Sequence, residues 1–499
     1  MHRCRVLRLR VPRLKPLAGS LALALALGVT ASTSVFAASP RAVAQRPTFA
    51  ATIGSAPTLA PDPRIAQWKR LHPQPSPRLG STWTVTNCDD DGAGSLRDII
   101  EHDAASGDTV DMSELTCGRI TLATGSILTG ADDLTLVGPG TTALIIDGDH
   151  AFQPMAHLGE GTLILRDLTI WNGLKYTTGT DSARGGCVYS AGSVIMDGVS
   201  LKYCEAIASD TGSAVGGGVF AMNGLSLQDS SITSSLSGSS GGSAWGGGAY
   251  LRGGLLMKYS DVHDNEVRSS PNTQNARGGG IWNAYGGGTV IRSTISNNRG
   301  GTVGGMLLSD ITDGDEIAIL SSTVSGNVAT NSRSGAGLYI GYSSGLILDN
   351  STITGNSEDN FENVSYGAGL KLGDNTPATL ISSIVSGNVF VRGGGSRPSD
   401  IYGEFSTSLA GDHNLIGFSY LMPPPDTIGY LSDAGLAPLR FNGGPTRTHA
   451  LLAGSIALNA GAANGQSEDQ RGDGYPRVQG ASADIGAFES DILFADGFD

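Results

Sequence analysis

The sequence predicts an all-β chain wound into a parallel β-helix. Three observations carry this. First, a tight glycine cluster followed by an apolar or aromatic residue keeps recurring. It reads Gly185-Gly186-Cys187-Val188-Tyr189, Gly216-Gly217-Gly218-Val219-Phe220, Gly246-Gly247-Gly248-Ala249-Tyr250 and Gly278-Gly279-Gly280-Ile281-Trp282. It continues as Gly304-Gly305-Met306-Leu307, Gly335-Ala336-Gly337-Leu338-Tyr339 and Gly367-Ala368-Gly369-Leu370. Counted from the last glycine of each cluster, the steps are 32, 30, 32, 25, 32 and 32 residues. Second, Ser-Thr-Ile-Ser-Asn-Asn (293–298), Ser-Thr-Val-Ser-Gly-Asn (322–327), Ser-Thr-Ile-Thr-Gly-Asn (351–356) and Ser-Ile-Val-Ser-Gly-Asn (383–388) keep time with the glycines. Third, Gly is 73 of 499 residues and aromatics are only 6%, which suits thin solenoid walls better than a globule. Two interlocked motifs at one period define a repeat architecture.

Each unit is rich in Gly, Ser, Thr, Asn and β-branched residues, the composition of short strands and turns. Gly337 to Ile340, Leu346 to Leu348 and Thr352 to Thr354 read as three strands of one coil. Alternation puts Leu338 and Ile340 on one side and Tyr339 on the other. A single unit cannot bury its apolar side, whereas stacked units bury a continuous core. The glycines then serve bends and close approach between coils. Asn265, Asn298, Asn327, Asn356 and Asn388 are expected to stack as a ladder at one corner, since Asn tolerates the left-handed conformation and bonds the neighbouring coil.

Taken in order, residues 1–38 are expected to be a signal peptide: a basic start, an apolar run from Leu17 to Val29, then small residues. Residues 39–80 form a Pro/Ala-rich linker. Residues 81–160 hold an N-terminal cap and the first coils, with Ser95 as N-cap, Asp98 near the capping-box position, and Leu96, Ile99 and Ile100 as the apolar face of a short capping helix. Residues 161–410 are the β-helix repeats, 411–490 a C-terminal domain of different texture, and 491–499 a tail. Removing the six basic residues of the signal lowers the formal charge from −14 to −20. Such an acidic surface argues against nucleic acid and anionic membrane as partners. No later stretch approaches the ~18 apolar residues of a transmembrane helix.

Cys4 leaves with the signal, and four cysteines remain. The most local of three pairings joins Cys88 to Cys117 and Cys187 to Cys204, as suits an exported chain.

The Thr-Val-Thr-Asn-Cys segment (84–88) and Gly-Ala-Gly-Ser-Leu-Arg-Asp (92–98) resemble the N-terminal part of secreted bacterial CSLREA-type proteins, although the tag that names them is missing. The repeats resemble those of polymorphic outer-membrane proteins and the pectin-lyase-like solenoids. Asp412-His413-Asn414, Asn442-Gly443-Gly444-Pro445, Asp469-Gln470-Arg471-Gly472 and Asp484-Ile485-Gly486-Ala487-Phe488-Glu489 resemble a choice-of-anchor Q domain. Together these resemblances span roughly residues 82–490 and imply a right-handed parallel β-helix, exported to the bacterial cell surface, outer membrane or medium.

Pectin-lyase-like solenoids often carry polysaccharide enzymes, so the residues must be tested for chemistry. A lyase needs acidic Ca²⁺ ligands and a basic residue on one outer face, and a glycosidase needs paired carboxylates. The pattern of the polygalacturonases is missing. The best outward cluster is Lys202, Asp261, His263 and Asp264, which equivalent repeat positions bring to one face; the plainer reading is a solvated coil surface. Asp310, Asp313, Asp315 and Glu316 form an acidic loop that suits Ca²⁺ or a simple polar turn. The same two readings apply to Asp89-Asp90-Asp91 and to Asp469 with Asp473. No cofactor besides Ca²⁺ is expected. The recurring aromatics Tyr189, Phe220, Tyr250, Trp282 and Tyr339 either stack inside or form a sugar-binding strip. The leading expectation is a non-catalytic adhesion or glycan-binding protein whose partner is an extracellular glycan or a host or cell-surface component. The alternatives are a polysaccharide lyase or glycoside hydrolase, and a structural surface component.

Overall fold

In the computed structural model, described for residues 80–270, 275–309, 316–330, 335–341, 345–359, 366–429 and 433–491, strand follows strand around a solenoid. Each coil contributes to successive parallel sheets. We name its faces in chain order after the glycine cluster. Face 1 is a ten-stranded sheet that includes Val188–Ser190, Val219–Ala221, Ala249–Leu251 and Ile281–Asn283. Faces 2 and 3 belong to one 22-stranded sheet, because Thr162–Trp171 and Ser193–Lys202 run through both without a break. Face 2 continues with Leu225–Gln228 and Leu255–Lys258, and face 3 with Ser231–Thr233, Asp261–His263, Thr294–Ser296, Thr323–Ser325 and Thr352–Thr354. Face 4 is a nine-stranded sheet, and Ala183–Arg184, Ala214–Val215, Ala244–Trp245 and Ala276–Arg277 form a small sheet just before the glycines. Pairing between coils is parallel and in register throughout faces 1 to 3, for example Lys202 with Thr233 and Thr233 with His263. That pairing makes the chain an all-β parallel solenoid.

Alternation sorts the side chains. Leu338 and Ile340 enter the continuous aliphatic core, and Tyr339 points the other way. The recurring aromatics nevertheless do not reach solvent. Tyr189, Phe220, Tyr250 and Trp282 are fully buried in a second cluster with Val215 and Trp245, under the small sheet. Tyr189, Phe220 and Tyr250 stack at 5.4 Å spacing. They are therefore packing, and not an outer sugar-binding strip.

The two repeat motifs turn out to touch. The first glycine of the cluster takes positive φ, as at Gly216 (+67°) and Gly246 (+60°), which only glycine adopts cheaply. The last lies flat on the Asn ladder: a Cβ on Gly280 or Gly337 would sit 2.9 or 3.0 Å from the Asn298 or Asn356 side chain. From Asn298 on, each ladder Asn Oδ1 accepts from the backbone N–H and the Nδ2 of the previous Asn, and Asn265 Oδ1 accepts from Ser235 N. Asn265 reaches Asn298 at 3.1 and 3.0 Å, and so on to Asn388. All five are fully buried, and the ladder ends on the carboxylate of Asp400, 2.8 Å from Asn388 Nδ2. A second ladder, not foreseen, uses the first serine of the motif. Ser260, Ser293, Ser322, Ser351 and Ser383 each accept from the backbone N–H of the preceding coil at 3.1 Å.

Ser95 caps the helical turn Leu96–Asp98, its Oγ accepting from Asp98 N at 3.2 Å. Asp98 bonds Gly94 N, so the capping box is displaced by one residue. The turn then widens into a π-helical turn, Ile99–Asp103, and Leu96, Ile99 and Ile100 join the core at its first coil. Cys88 is bonded to Cys117, and Cys187 to Cys204, the latter pair fully buried within one coil.

Coil register runs past residue 411, through Leu409–Asp412, Leu415–Ile416 and Ile428–Gly429. Residues 433–491 then turn back along the outside of face 3 as a strap. Ala434, Ala457 and Ile485 pack on Ile384 and Leu415. Inside the strap, Arg471 bonds Asp469 at 2.8 Å and lies between the rings of Tyr475 and Phe488. The signal peptide, nearly all of the linker, and the tail from 492 lie outside the described residues. Among the described residues no helix is long and apolar enough to cross a membrane.

Candidate functional site

The outward residues of face 3 follow directly from period two: positions one and three of each strand. From early to late coils they are Thr169 and Trp171, Ser200 and Lys202, Ser231 and Thr233, Asp261 and His263. They then become Thr294 and Ser296, Thr323 and Ser325, Thr352 and Thr354. The strap covers this second group. Thr294 Oγ1 donates to Arg447 O (2.7 Å), Thr323 Oγ1 to Gln470 Oε1 (2.6 Å), and Ala487 N donates to Thr352 Oγ1 (3.0 Å). Ser325 Oγ meets His449 Nε2 at 2.8 Å.

The first group, Trp171 apart, lines a groove of about 650 Å³, although Thr169, Ser200, Thr233 and Asp261 are themselves largely buried in its floor. The sequence-derived cluster Lys202, Asp261, His263 and Asp264 lies in it, with Asp229 on one bank. In-register pairing sets Trp171, Lys202, Thr233 and His263 on one row, each step about 4.8 Å. The four predicted residues play unequal parts. Asp261 is buried against Arg447, whose Nε and Nη2 lie 3.1 and 3.2 Å from its carboxylate. Burial pushes the Asp261 carboxyl up, against the pull of His263 and Arg447. It points outward from face 3 but is covered, and it fastens the strap. His263 Nδ1 is 2.6 Å from Asp264 Oδ2, which orients the ring. Lys202 is half-buried on the floor and forms no ion pair among the described residues.

Sequence reading missed the aromatic banks. Every coil bends sharply at both edges of face 3, with one residue at positive φ on each side. On most coils these corners carry Asp, Asn, Ser or Gly: Asp167, Gly198, Ser321 and Asn350 on one edge, Asn172, Asn297, Gly326 and Gly355 on the other. At the groove two of them carry Tyr259 (φ +48°) and Tyr203 (φ +56°), on opposite edges and two coils apart, beside Asp229, Ser234 and Asp264, while Arg292 (φ +47°) takes the corner of the next coil. A left-handed backbone costs a bulky residue roughly 1–2 kcal/mol and is most often met at functional sites. Tyr203 stays half exposed and packs against Trp171, tilted by 57° with 4.8 Å between centroids. Phe441 and Pro445 of the strap form the late-coil end of the groove. The signal was present: Ser-Leu-Lys-Tyr (200–203) and Asp-Val-His-Asp (261–264) depart from the Thr-Ile-Ser-Asn pattern of 294–297.

Of the acidic Ca²⁺ candidates, Asp310, Asp313 and Asp315 lie outside the described residues, and Glu316 is exposed. Asp90 is held by Arg97 (2.7 Å) and by Thr124. Asp469 is taken by Arg471. Among the described residues no group of three His, Cys, Asp or Glu side chains is placed to hold a metal.

No family model matches the sequence, and no curated protein matches it. Solved structures match by shape. A pectate lyase, Pel9A, aligns with a TM-score of 0.39 and 11% identity over 83% of this chain and 98% of its own. The periplasmic alginate epimerase AlgG aligns at 0.28 and 11%, over 65% and 82%. The PL6 family alginate lyase AlyGC aligns at 0.31 and 10%, over 80% and 59%.

Proposed function

We propose that this is an exported solenoid protein that binds a glycan in the face 3 groove. The observation that carries the reading is the pair of tyrosines at left-handed corners. Tyr203 and Tyr259 stand where most coils have a small or polar corner residue, and both line the groove: Tyr203 half exposed, Tyr259 held by Arg292 and against Gly472 of the strap. Apolar sugar faces stack on aromatic rings, and sugar hydroxyls suit a floor of Ser200, Ser231 and Thr233. Charge on the floor nearly cancels: Arg447 neutralises Asp261, His263 faces Asp264, and Lys202 offsets Asp229. A neutral glycan fits this balance better than a polyuronate, which the chain's overall negative charge also repels. Two disulfides support export. A display role at a cell surface agrees with the C-terminal motifs that resemble a choice-of-anchor Q domain.

Calorimetric titration with neutral oligosaccharides tests the reading. Binding that Tyr203→Ala weakens about tenfold, with no new product, is expected. Failure of every neutral glycan to bind would remove it.

One observation favours a second reading. Lys202 shares a row with His263, two coils or about 10 Å away, and Asp264 orients that histidine. A lysine and an oriented histidine on one floor are what proton abstraction from an acidic sugar would need. Ultraviolet-absorbing unsaturated sugar ends, lost in Lys202→Ala, would decide for a polysaccharide lyase.

A further inference from the structure

We propose that the groove receives the end of a glycan chain rather than its middle, with Phe441 stacking on the terminal sugar; this rests on the glycan reading above. The groove floor runs from Thr169 to His263, three coil steps or about 14 Å. Beyond His263 the same face is filled. Thr294 and Thr323 have no exposed surface to offer, because Arg447 and Gln470 lie on them. Gln470 Nε2 sits within 3.2 Å of four oxygens: Ser293 O, Thr294 Oγ1, Thr446 Oγ1 and Arg447 O. A chain continuing along the face would have to displace this buried hub and leave its donors unmade, at several times the cost of one ordinary hydrogen bond.

The wall stands where the floor stops. A short antiparallel hairpin, Arg440–Phe441 with Arg447–Thr448, is pinned to the last open coil by the Arg447 to Asp261 pair. Its Phe441 ring is 65% exposed and borders the groove. A phenyl ring held in water on a fastened hairpin beside the closed end of the groove offers an apolar surface to the sugar that reaches that end. Because the face beyond is filled, that sugar is the terminal one of its chain.

The test uses the mature protein and cello-, manno- and chito-oligosaccharides of graded length in calorimetry. End recognition predicts that the number of protein molecules bound per glycan chain stays constant as the chain lengthens. Phe441→Ala should weaken binding about tenfold while leaving the near-ultraviolet circular dichroism of the fold unchanged. A protein-to-chain ratio that rises with length would overturn end recognition and leave glycan binding standing. Wild-type affinity in Phe441→Ala would remove the platform. No binding to any of the three series would remove the glycan reading together with this inference.

Discussion

Two stretches of one sheet face, built on the same backbone, have been put to opposite uses. On the late coils the outward rows read Thr294 and Ser296, Thr323 and Ser325, Thr352 and Thr354, and every row bonds the strap. On the early coils the corresponding places hold Trp171, Lys202 and His263, flanked by Tyr203 and Tyr259, and they are open. Register and core are continuous across the boundary, so the backbone does not create the difference. Short hydroxyls give a flat, self-similar surface on which a chain segment can lie closely. At the boundary Tyr259 lies against Gly472 and Asp261 holds Arg447, and beyond them, toward the early coils, the longer side chains border a groove that the strap leaves uncovered. Regularity in the outward positions therefore marks what the strap covers, and departure from regularity marks where it leaves a groove.

The comparison can be broken at several places. The largest effect is expected at its boundary. Arg447→Ala leaves the buried Asp261 carboxylate without its partner and should cost about 3–5 kcal/mol. Denaturant unfolding would measure that loss, and hydrogen exchange should show Thr294–Ser296 losing protection before the open coils do. Next comes the scaffold under both stretches. Asn327→Ala removes one rung of a fully buried ladder and orphans the Asn298 N–H, for about 2 kcal/mol by denaturant unfolding. Its effect should be equal on the two stretches, and a loss confined to the covered coils would contradict their common foundation. Lys202→Ala and Tyr203→Ala should change stability by no more than about 0.5 kcal/mol, yet weaken glycan binding.

The smallest effect concerns pH. Burial pushes the Asp400 carboxyl up from 3.8 to about 6, against the hydrogen bonds from Asn388 and Phe418 N that pull it down. The folded state therefore holds this proton more tightly than the unfolded chain does. Its contribution to stability is present below the unfolded value near 3.8 and is lost as pH rises through about 6. Asp400→Asn keeps an amide at the foot of the ladder without the charge. Its stability should fall less than that of the wild type between pH 4 and pH 6.5 in denaturant titrations.

Much of the fold was legible because stacking forces a shared period on sequence. Glycines that must bend, the Asn that must fill a buried corner, and the alternation at Leu338-Tyr339-Ile340 all repeat at the coil length. The sequence could not place Tyr189 to Trp282, since the small sheet that buries them has only two residues per coil, and its repeated Ala before each glycine cluster is too short a pattern to read as a strand. The strap was equally hidden. Its contacts join residues 80 to 186 positions apart, such as Ser382 with Ala462 and Asp261 with Arg447, and no local pattern records them. For the same reason Asp261 read as an outward acid, although it fastens the strap. The groove was half legible: equivalent positions placed Lys202 and His263 on one face. The aromatic banks were not seen, because Tyr203 and Tyr259 matter by departing from the repeat.

The most direct test of the central claim is hydrogen exchange on the protein with and without a saturating neutral oligosaccharide. A ligand seated in the groove should slow exchange in Ser231–Thr233, in Asp261–His263 and at Arg440–Phe441, and leave the covered strands as they were. Protection appearing on another face, with these three segments unchanged, would contradict it.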